Sequence, residues 1–250
     1  MPIEPTAQIP TPPAAEKIPT PFEAQGIARA VLLFFNFFPI LHLFVIAILV
    51  LCPPHKLMLF RLILAGGTLY LLPPFLAQMI RYSVKIPEGR IPVNSNAFVG
   101  WWALFQVQLI FSRWPALEET LRFVPGLYSL WLRLWGAQIG RLTYWAPGTL
   151  ILDRSFLNVG DNVIFAAGVR VNPHVLIKTE TGDRELLLAA IKIGDRAQVG
   201  GYSLLTSGTE IPADEVTRAF LISPPFSVWK DGKRVRRPEN AEIESLTDKP

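Results

Sequence analysis

Three patterns of apolar and polar positions follow one another along the chain, and each predicts a different kind of element. Two runs are almost continuously apolar: GIARAVLLFFNFFPILHLFVIAILVL, Gly26 to Leu51, and LMLFRLILAGGTLYLLPPFLAQMI, Leu57 to Ile80. At about 1.5 Å of rise per residue, a helix of that length spans a hydrocarbon core of ~30 Å. The short CPPHK between them makes the two helices antiparallel neighbours. Pro39, Gly66, Gly67, Pro73 and Pro74 are expected to kink them, so a re-entrant hairpin stands beside two full spans as an alternative. From Ala97 to Trp135 aromatic residues recur with charges between them. Trp101, Trp102, Trp114, Trp131 and Trp135 are of the amphipathic type that sits at headgroup level. Amphipathic helices lying in the interface are expected over 97–136, with a helical pair packed under a soluble domain as the alternative.

From Ile139 the period becomes six. The hexads read IGRLTY, WAPGTL and ILDRSF, then a two-residue step LN, then VGDNVI, FAAGVR and VNPHVL. After IK and a break, TETGDRELLLAAIK, they resume as IGDRAQ, VGGYSL, LTSGTE and IPADEV. The first position is always Ile, Val, Leu, Phe or Trp, and the second is small or polar, often Gly. The fifth is mostly small or β-branched: Thr143, Thr149, Ser155, Val163, Val169, Val175, Ala197, Ser203 and Thr209. A period of six means one short strand and one tight turn per hexad. Three hexads close a triangular coil, and stacked coils build a continuous core from the first-position side chains. The narrow interior accounts for large residues at position one and small ones at position five, both pointing inward. About three coils are expected: 139–156, 159–176, and 193–210 with its continuation. The fold class is therefore N-terminal transmembrane or interfacial α-helices followed by a short parallel β-helix.

Composition supports a membrane reading. Half of the 250 residues are hydrophobic and only 18% are charged. The mean hydropathy is +0.33, which is more apolar than an ordinary soluble domain. The formal charge of +4, without a long Lys/Arg run in the repeat, biases the chain toward anionic headgroups or an anionic substrate. It does not make a nucleic-acid footprint. A lone cysteine, Cys52, excludes an intrachain disulfide and cysteine-cluster metal sites, and three histidines leave little for a His-based one. Residues 1–25 are proline-rich and expected to be disordered, and without a basic start and apolar core they do not read as a signal peptide. Arg81, Lys85 and Arg90 follow the second apolar run, and Lys17 and Arg29 precede or open the first. Against His55 and Lys56 in the turn, they put both ends on the cytoplasmic face of a membrane, the bacterial inner membrane. The organisation expected is 1–25 disordered, 26–82 hydrophobic hairpin, 97–136 interfacial helices, 137–222 β-helix, and 223–250 a basic and mixed tail. In that tail KDGKRVRR either touches headgroups, at about 1 kcal/mol per basic residue, or is a disordered terminus.

The segment LWLRLWGAQIGRLTYWAPGTLI, with the hexads after it, resembles the left-handed β-helix hexapeptide-repeat acyltransferases. Its lead-in, a hydrophobic helix running into a Gly-Ala-x-Ile-Gly step, is similar to that of membrane-associated and polysaccharide-modifying members. The resemblance covers about residues 120–220 and is specific for the fold, much less so for the substrate. It implies a left-handed coil and a single histidine acting as general base, with backbone N–H groups serving the oxyanion. It implies direct transfer from acyl-CoA, foremost acetyl-CoA, to a hydroxyl or amine, with no covalent intermediate. The acyl-CoA would lie along the coils, in the groove between two subunits of a homotrimer. Some sugar-modifying members carry their histidine in the hexad matching LTSGTE, where this chain has Gly208, Thr209 and Glu210 and no histidine.

Acyl transfer to a hydroxyl or amine needs a base for the acceptor's proton and donors for the oxyanion. His42 lies in the first apolar run and His55 in the turn, so His174 alone stands in the repeat. It takes the fourth position of its hexad, near a corner and pointing outward, and the only long interruption, about Thr179 to Ala190, follows it directly. That insertion must loop out and is placed to cover a groove. Corners also tolerate any polar residue, so a stray histidine is the plain alternative to a base. Stacking puts Asp153 and Arg154 under Pro173 and His174, with Ser207 and Gly208 above. Asp153 either orients the imidazole or, more simply, is a surface turn residue. Asn172 either reaches the acceptor or the carbonyl, or forms a turn. Gly200 and Gly201 offer backbone N–H groups to a thioester carbonyl, or merely make a tight corner. Lys192 and Arg196, with Arg184 and Arg218, bind the CoA phosphates or form a solvated face. The function expected is acyl transfer to a membrane-associated lipid or glycan acceptor, with acyl-CoA as co-substrate and no metal or bound cofactor. A non-catalytic, membrane-tethered β-helix scaffold and a transferase using an acyl-carrier-protein donor are the alternatives.

Overall fold

The computed structural model describes residues 26–52, 57–93, 95–179 and 184–235. The stretch expected to be disordered at 1–25, His55 and most of the first turn, the tip of the insertion and the end of the tail lie outside the described residues.

The first apolar run is one helix, α1 (Gly26–Leu51), which passes through Pro39 unbroken. The second is two, α2 (Met58–Tyr70) and α3 (Leu72–Ser83). Gly26–Leu51 and Met58–Ser83 are each long and apolar enough to cross a membrane. Phe34, Phe37, Ile40, Phe44, Leu59, Phe60 and Ile63 are exposed along them. The break at Leu71 has a local cause. Pro73 and Pro74 carry no N–H, so the carbonyls four residues earlier, of Leu69 and Tyr70, lose their helical partners. The indole N–H of Trp131 donates to the Tyr70 carbonyl at 2.8 Å. Two polar side chains of α1 find partners as well. Asn36 Oδ1 accepts from Trp102 Nε1 at 2.8 Å and from Gln106 Nε2 at 3.1 Å. A ring nitrogen of buried His42 meets the Thr68 carbonyl at 2.8 Å. Unpaired polar groups are costly in apolar surroundings, so these bonds fix which helix faces meet.

An extended strand, β1 (Gly89–Pro92), leads into α4 (Asn96–Val107), followed by α5 (Leu109–Arg113), α6 (Ala116–Arg122) and α7 (Leu127–Leu134). Ser95 caps α4 by accepting from the Phe98 N–H at 3.2 Å. The headgroup placement expected of the five tryptophans is corrected here. Trp101, Trp131 and Trp135 are buried and Trp102 is half-buried, leaving only Trp114 of the five exposed. Their rings fill the junction between the helices and the strands, where Trp101 and Trp131 find acceptors for their N–H groups. A different apolar stripe faces out on α7 and the turn before it: Phe123, Val124, Leu127, Leu130 and Leu134.

The chain then forms β2 (Gln138–Ile139), β3 (Tyr144–Trp145), β4 (Leu150–Ile151), β5 (Leu157–Val159), β6 (Ile164–Phe165), β7 (Arg170–Asn172), β8 (His174–Lys178), β9 (Arg184–Leu188), β10 (Ile191–Ile193), β11 (Gln198–Val199), β12 (Leu204–Thr206), β13 (Glu210–Ile211), β14 (Ile222–Ser223), β15 (Val228–Lys230) and β16 (Lys233–Val235). Apart from β8, β9 and β16 these lie in three parallel sheets that the chain visits in rotation. The first sheet holds β2, β5, β10, β13 and β15, the second β3, β6 and β11, and the third β4, β7, β12 and β14. Ile139, Val159, Ile193 and Ile211 are in register on the first face. Trp145, Phe165 and Val199 share a register on the second, and Ile151, Val171 and Leu205 on the third. All ten are buried, and the Trp145 and Phe165 rings stack at 4.4 Å. The glycines at the second position answer a close approach. A Cβ on Gly140 would sit 2.4 Å from the Gly160 backbone, and one on Gly194 would sit 2.3 Å from the Ala213 nitrogen.

Two boundaries differ from expectation. The winding continues beyond 222, because Thr217, Ser223 and Trp229 carry on the six-residue inward spacing from Ile211. The hydrophobic signal fades there because the inward slots hold hydroxyls, which pair inside. Ser223 Oγ accepts from Trp229 Nε1 at 2.8 Å and bonds Thr209 Oγ1 at 2.9 Å. The described part of the basic tail is the antiparallel pair β15–β16. The repeat also stops earlier at the insertion, at Asn172. His174 to Lys178 form β8, antiparallel to β9, which pairs in turn with β1. Val175 and Ile177 therefore belong to this small sheet and not to the inward column. Leu186, Leu187 and Leu188 are fully buried at its centre, and the sheet joins the helical unit to the strand unit.

Candidate functional site

The corner from the third face to the first is where the unusual residues gather. Asp153 turns that corner after β4 with φ +49°, in the left-handed region that Asp tolerates better than most residues. Its side chain is fully buried. One coil higher the insertion starts at His174, whose Nδ1 meets Asp153 Oδ2. The second carboxylate oxygen, Oδ1, accepts from Trp101 Nε1 at 2.9 Å. With Nδ1 donating to this carboxylate, Nε2 is the ring nitrogen available for a proton transfer. The imidazole packs against two rings of α4 that also touch each other, Trp101 at 4.9 Å and Phe105 at 5.4 Å between centroids. Its side chain keeps 18% exposure. Burial pulls the imidazolium down, but the charge and hydrogen bond of Asp153 lift it further, and the balance leaves the pKa raised above its ordinary value of 6.5.

Arg154, next along the corner, is also fully buried. Its Nε donates to Glu118 Oε1 at 2.9 Å and its Nη1 to Gln108 Oε1 at 2.9 Å. Its own backbone N–H donates to the same Gln108 oxygen at 3.1 Å. Glu118 also accepts from the Tyr128 hydroxyl, a phenol that burial and the Glu118 charge push well above its ordinary pKa. Arg122 reaches Glu119 and the Thr149 carbonyl. These bonds lock α5, α6 and α7 against the first coil and hold the corner that carries Asp153. Trp101, Phe105, Gln108 and Glu118 were not expected at the site. Their signal was the presence of Gln106, Gln108 and Glu118 in an otherwise aromatic stretch, since a polar group buried there needs a partner.

No protein-family model matches the chain, and no curated protein matches it. Among solved structures it is similar to a maltose O-acetyltransferase from Clostridium difficile 630, at 18% identity and TM-score 0.32, over 52% of this chain and 88% of that one. It is similar to a galactoside acetyltransferase in complex with coenzyme A, at 16% and 0.32, over 54% and 85%. A third is serine acetyltransferase isoform 3 in complex with cysteine from Entamoeba histolytica, at 10% and 0.30, over 82% and 87%.

The structure brings His174, Asp153 and Asn172 to one edge. Asn172 ends β7, half-buried and in register with Thr206, two residues before His174. Asp153 is no surface turn residue, because it is fully buried against His174 and Trp101. The four residues expected to hold the acyl donor lie elsewhere. Gly200 and Gly201 turn the corner from the second face to the third. The Gly200 N–H donates to Thr217 Oγ1 at 3.0 Å, so it is not open to a thioester carbonyl, and a Cβ there would lie 2.2 Å from the Arg218 carbonyl oxygen. Tight packing of stacked corners is what Gly200 serves, and a Cβ on Gly201 would meet the Ala167 carbonyl oxygen at 3.2 Å. Arg196, on the corner from the first face to the second, holds Asp214 through two bonds of 2.6 and 2.7 Å. Lys192, on the first face, pairs with Glu210 at 2.9 Å, beside a shallow depression of about 610 Å³ shared with Asn158. Among the described residues no group of three or more His, Cys, Asp or Glu side chains is placed to hold a metal ion.

Proposed function

We propose that the chain is a membrane-anchored acyltransferase, a left-handed β-helix held against a membrane by α1 and α2–α3. It moves an acyl group, acetyl in the first instance, from acyl-CoA to a hydroxyl or amine of a lipid or glycan acceptor at that surface. One observation carries the reading: His174, with Nδ1 held by a buried carboxylate and Nε2 left for a substrate, sits at a partly exposed edge directly beside the helical unit. In the reaction Nε2 takes the acceptor's proton as the acceptor oxygen or nitrogen attacks the thioester carbonyl. The tetrahedral adduct collapses with its electron pair leaving on sulfur, and the imidazolium returns the proton to the CoA thiolate. Asp153 keeps the ring in one tautomer and stabilises the imidazolium, and Asn172 on the same edge is the candidate donor to the carbonyl oxygen. The depression beside Lys192 is the candidate path for CoA along the first face, and the resemblance of the repeat favours a trimer with that path between subunits. The exposed stripe on α7 supports a helix lying in the interface beside the two spans. Anchoring suits an acceptor confined to the bilayer, because enzyme and acceptor then share one surface.

The test is purified full chain in detergent with acetyl-CoA and a lipid and glycolipid extract. Free CoA thiol should appear together with a lipid or glycan heavier by one acyl group. Folded His174→Ala should lose about 10²–10⁴ of the rate. No acylated product in any fraction, or an undiminished rate in His174→Ala, overturns the proposal.

A further inference from the structure

We infer that Trp101 is a positioning residue for the Asp153–His174 pair, so that the helical unit completes the site as well as tethering it. The inference rests on the proposed function and adds a residue from outside the repeat.

Asp153 is fully buried and each of its carboxylate oxygens has one partner, Oδ2 toward His174 and Oδ1 toward Trp101. The strand unit supplies only the first. Without the indole N–H, Oδ1 is an unpaired acceptor in a dry corner, and the carboxylate is free to rotate away from the imidazole. The same indole packs against the His174 ring in a T-shaped arrangement, with Phe105 beside it on the same helix. Both come from α4, which is tied to α1 through Trp102, Gln106 and Asn36. A continuous set of contacts therefore runs from an apolar helix to the proposed base.

The charges that face the pair are few. Asp153 is the one titratable group on its corner turned to His174. The α4 helix brings only the Trp101 and Phe105 rings, and β9 places Leu188 opposite His174. Arg154, beside Asp153, is turned away to Glu118 and Gln108. Glu88, just before β1, is held by the Ala190 N–H, and the indole N–H, donating to Asp153 Oδ1, offsets part of the carboxylate's charge at the imidazole. Removing it leaves that charge less compensated and favours the imidazolium.

The test uses the full chain in detergent carrying Trp101→Phe. The His174 ring titration, followed by NMR against the His174→Ala spectrum, should move up by roughly half a pH unit. The acid limb of kcat/KM should move with it, kcat should fall about tenfold, and KM for acetyl-CoA should stay unchanged. A second variant, with Trp101 replaced by 3-benzothienylalanine, keeps both rings and lacks the N–H. It should reproduce the shift where loss of volume prevents Trp101→Phe from folding. An unmoved imidazole titration in either folded variant overturns the inference, even with a lowered Tm, because that is the mark of packing alone. The titration is read without turnover, so it decides Trp101's role separately from the proposed reaction, which falls on the activity of His174→Ala.

Discussion

The indole nitrogen of Trp131 donates to the carbonyl of Tyr70, 2.8 Å away and 61 positions earlier in the chain. The acceptor exists because Pro74 has no N–H to give it, and the donor sits on the helix that runs into the first coil. The proline break between α2 and α3 is thereby closed by a side chain of α7. Trp131→Phe keeps most of the ring volume and leaves the carbonyl unpaired, and should cost about 1–3 kcal/mol. The measurement is thermal unfolding of the detergent-solubilised chain. An unchanged Tm would mean that another donor takes the carbonyl.

Glu118 and Arg154 form a buried ion pair, with Gln108 and Tyr128 completing it. Glu118→Gln leaves a guanidinium buried without its counter-charge and should destabilise by about 3–5 kcal/mol. Replacing both partners, Glu118→Leu with Arg154→Met, should cost less than Glu118→Leu alone, since Arg122 keeps Glu119 and no guanidinium is then stranded. A full double-mutant cycle by chemical denaturation measures the coupling, and additive costs would contradict it.

The raised pKa of His174 acts with opposite signs on rate and on stability. A base must be neutral, so kcat/KM should fall as the pH drops through the folded value, with an acid limb above the ordinary 6.5. The stabilisation from the charged pair is full below the unfolded value and is lost as the pH rises through the folded one. Asp153→Asn removes the lifting charge. Its acid limb should move to lower pH while the maximal rate falls about a hundredfold or more. A pH–rate series on the two proteins is the check.

Gly194 packs against the next coil so closely that a Cβ would meet the Ala213 nitrogen at 2.3 Å. Gly194→Ala must push two coils apart and should cost about 1–3 kcal/mol. Gly66→Ala is the control, because nothing lies within 4 Å of a Cβ there and alanine is the better helix residue. A Tm lowered by the first and not by the second confirms that close stacking, and not backbone freedom, selects glycine at the second position.

The period of six named the inward first-position residues from Ile139 to Val171 and from Ile193 to Ile211 without any knowledge of contacts, because each coil meets only its neighbours and the spacing is local; it failed at Val175, where the insertion begins. The same local signal weakened where Thr217 and Ser223 took inward slots, since a hydroxyl looks solvent-facing until its partner is known. At the other end, the length and apolarity of Gly26–Leu51 and Met58–Ser83 were legible, and the proline break was placed by the missing N–H groups.

The surroundings of His174 could not be read in that way. Spacing alone put Asp153 one coil below it, yet whether that carboxylate faced water or the imidazole depended on Trp101, 52 positions earlier. Burial of Arg154 likewise depended on Glu118 and Gln108 arriving from other helices. Periodicity records which way a side chain points relative to its own strand, and so the chain's repeat was written in its order of residues. The partner across a corner comes from a separate unit folding onto it, and long-range packing alone supplies that.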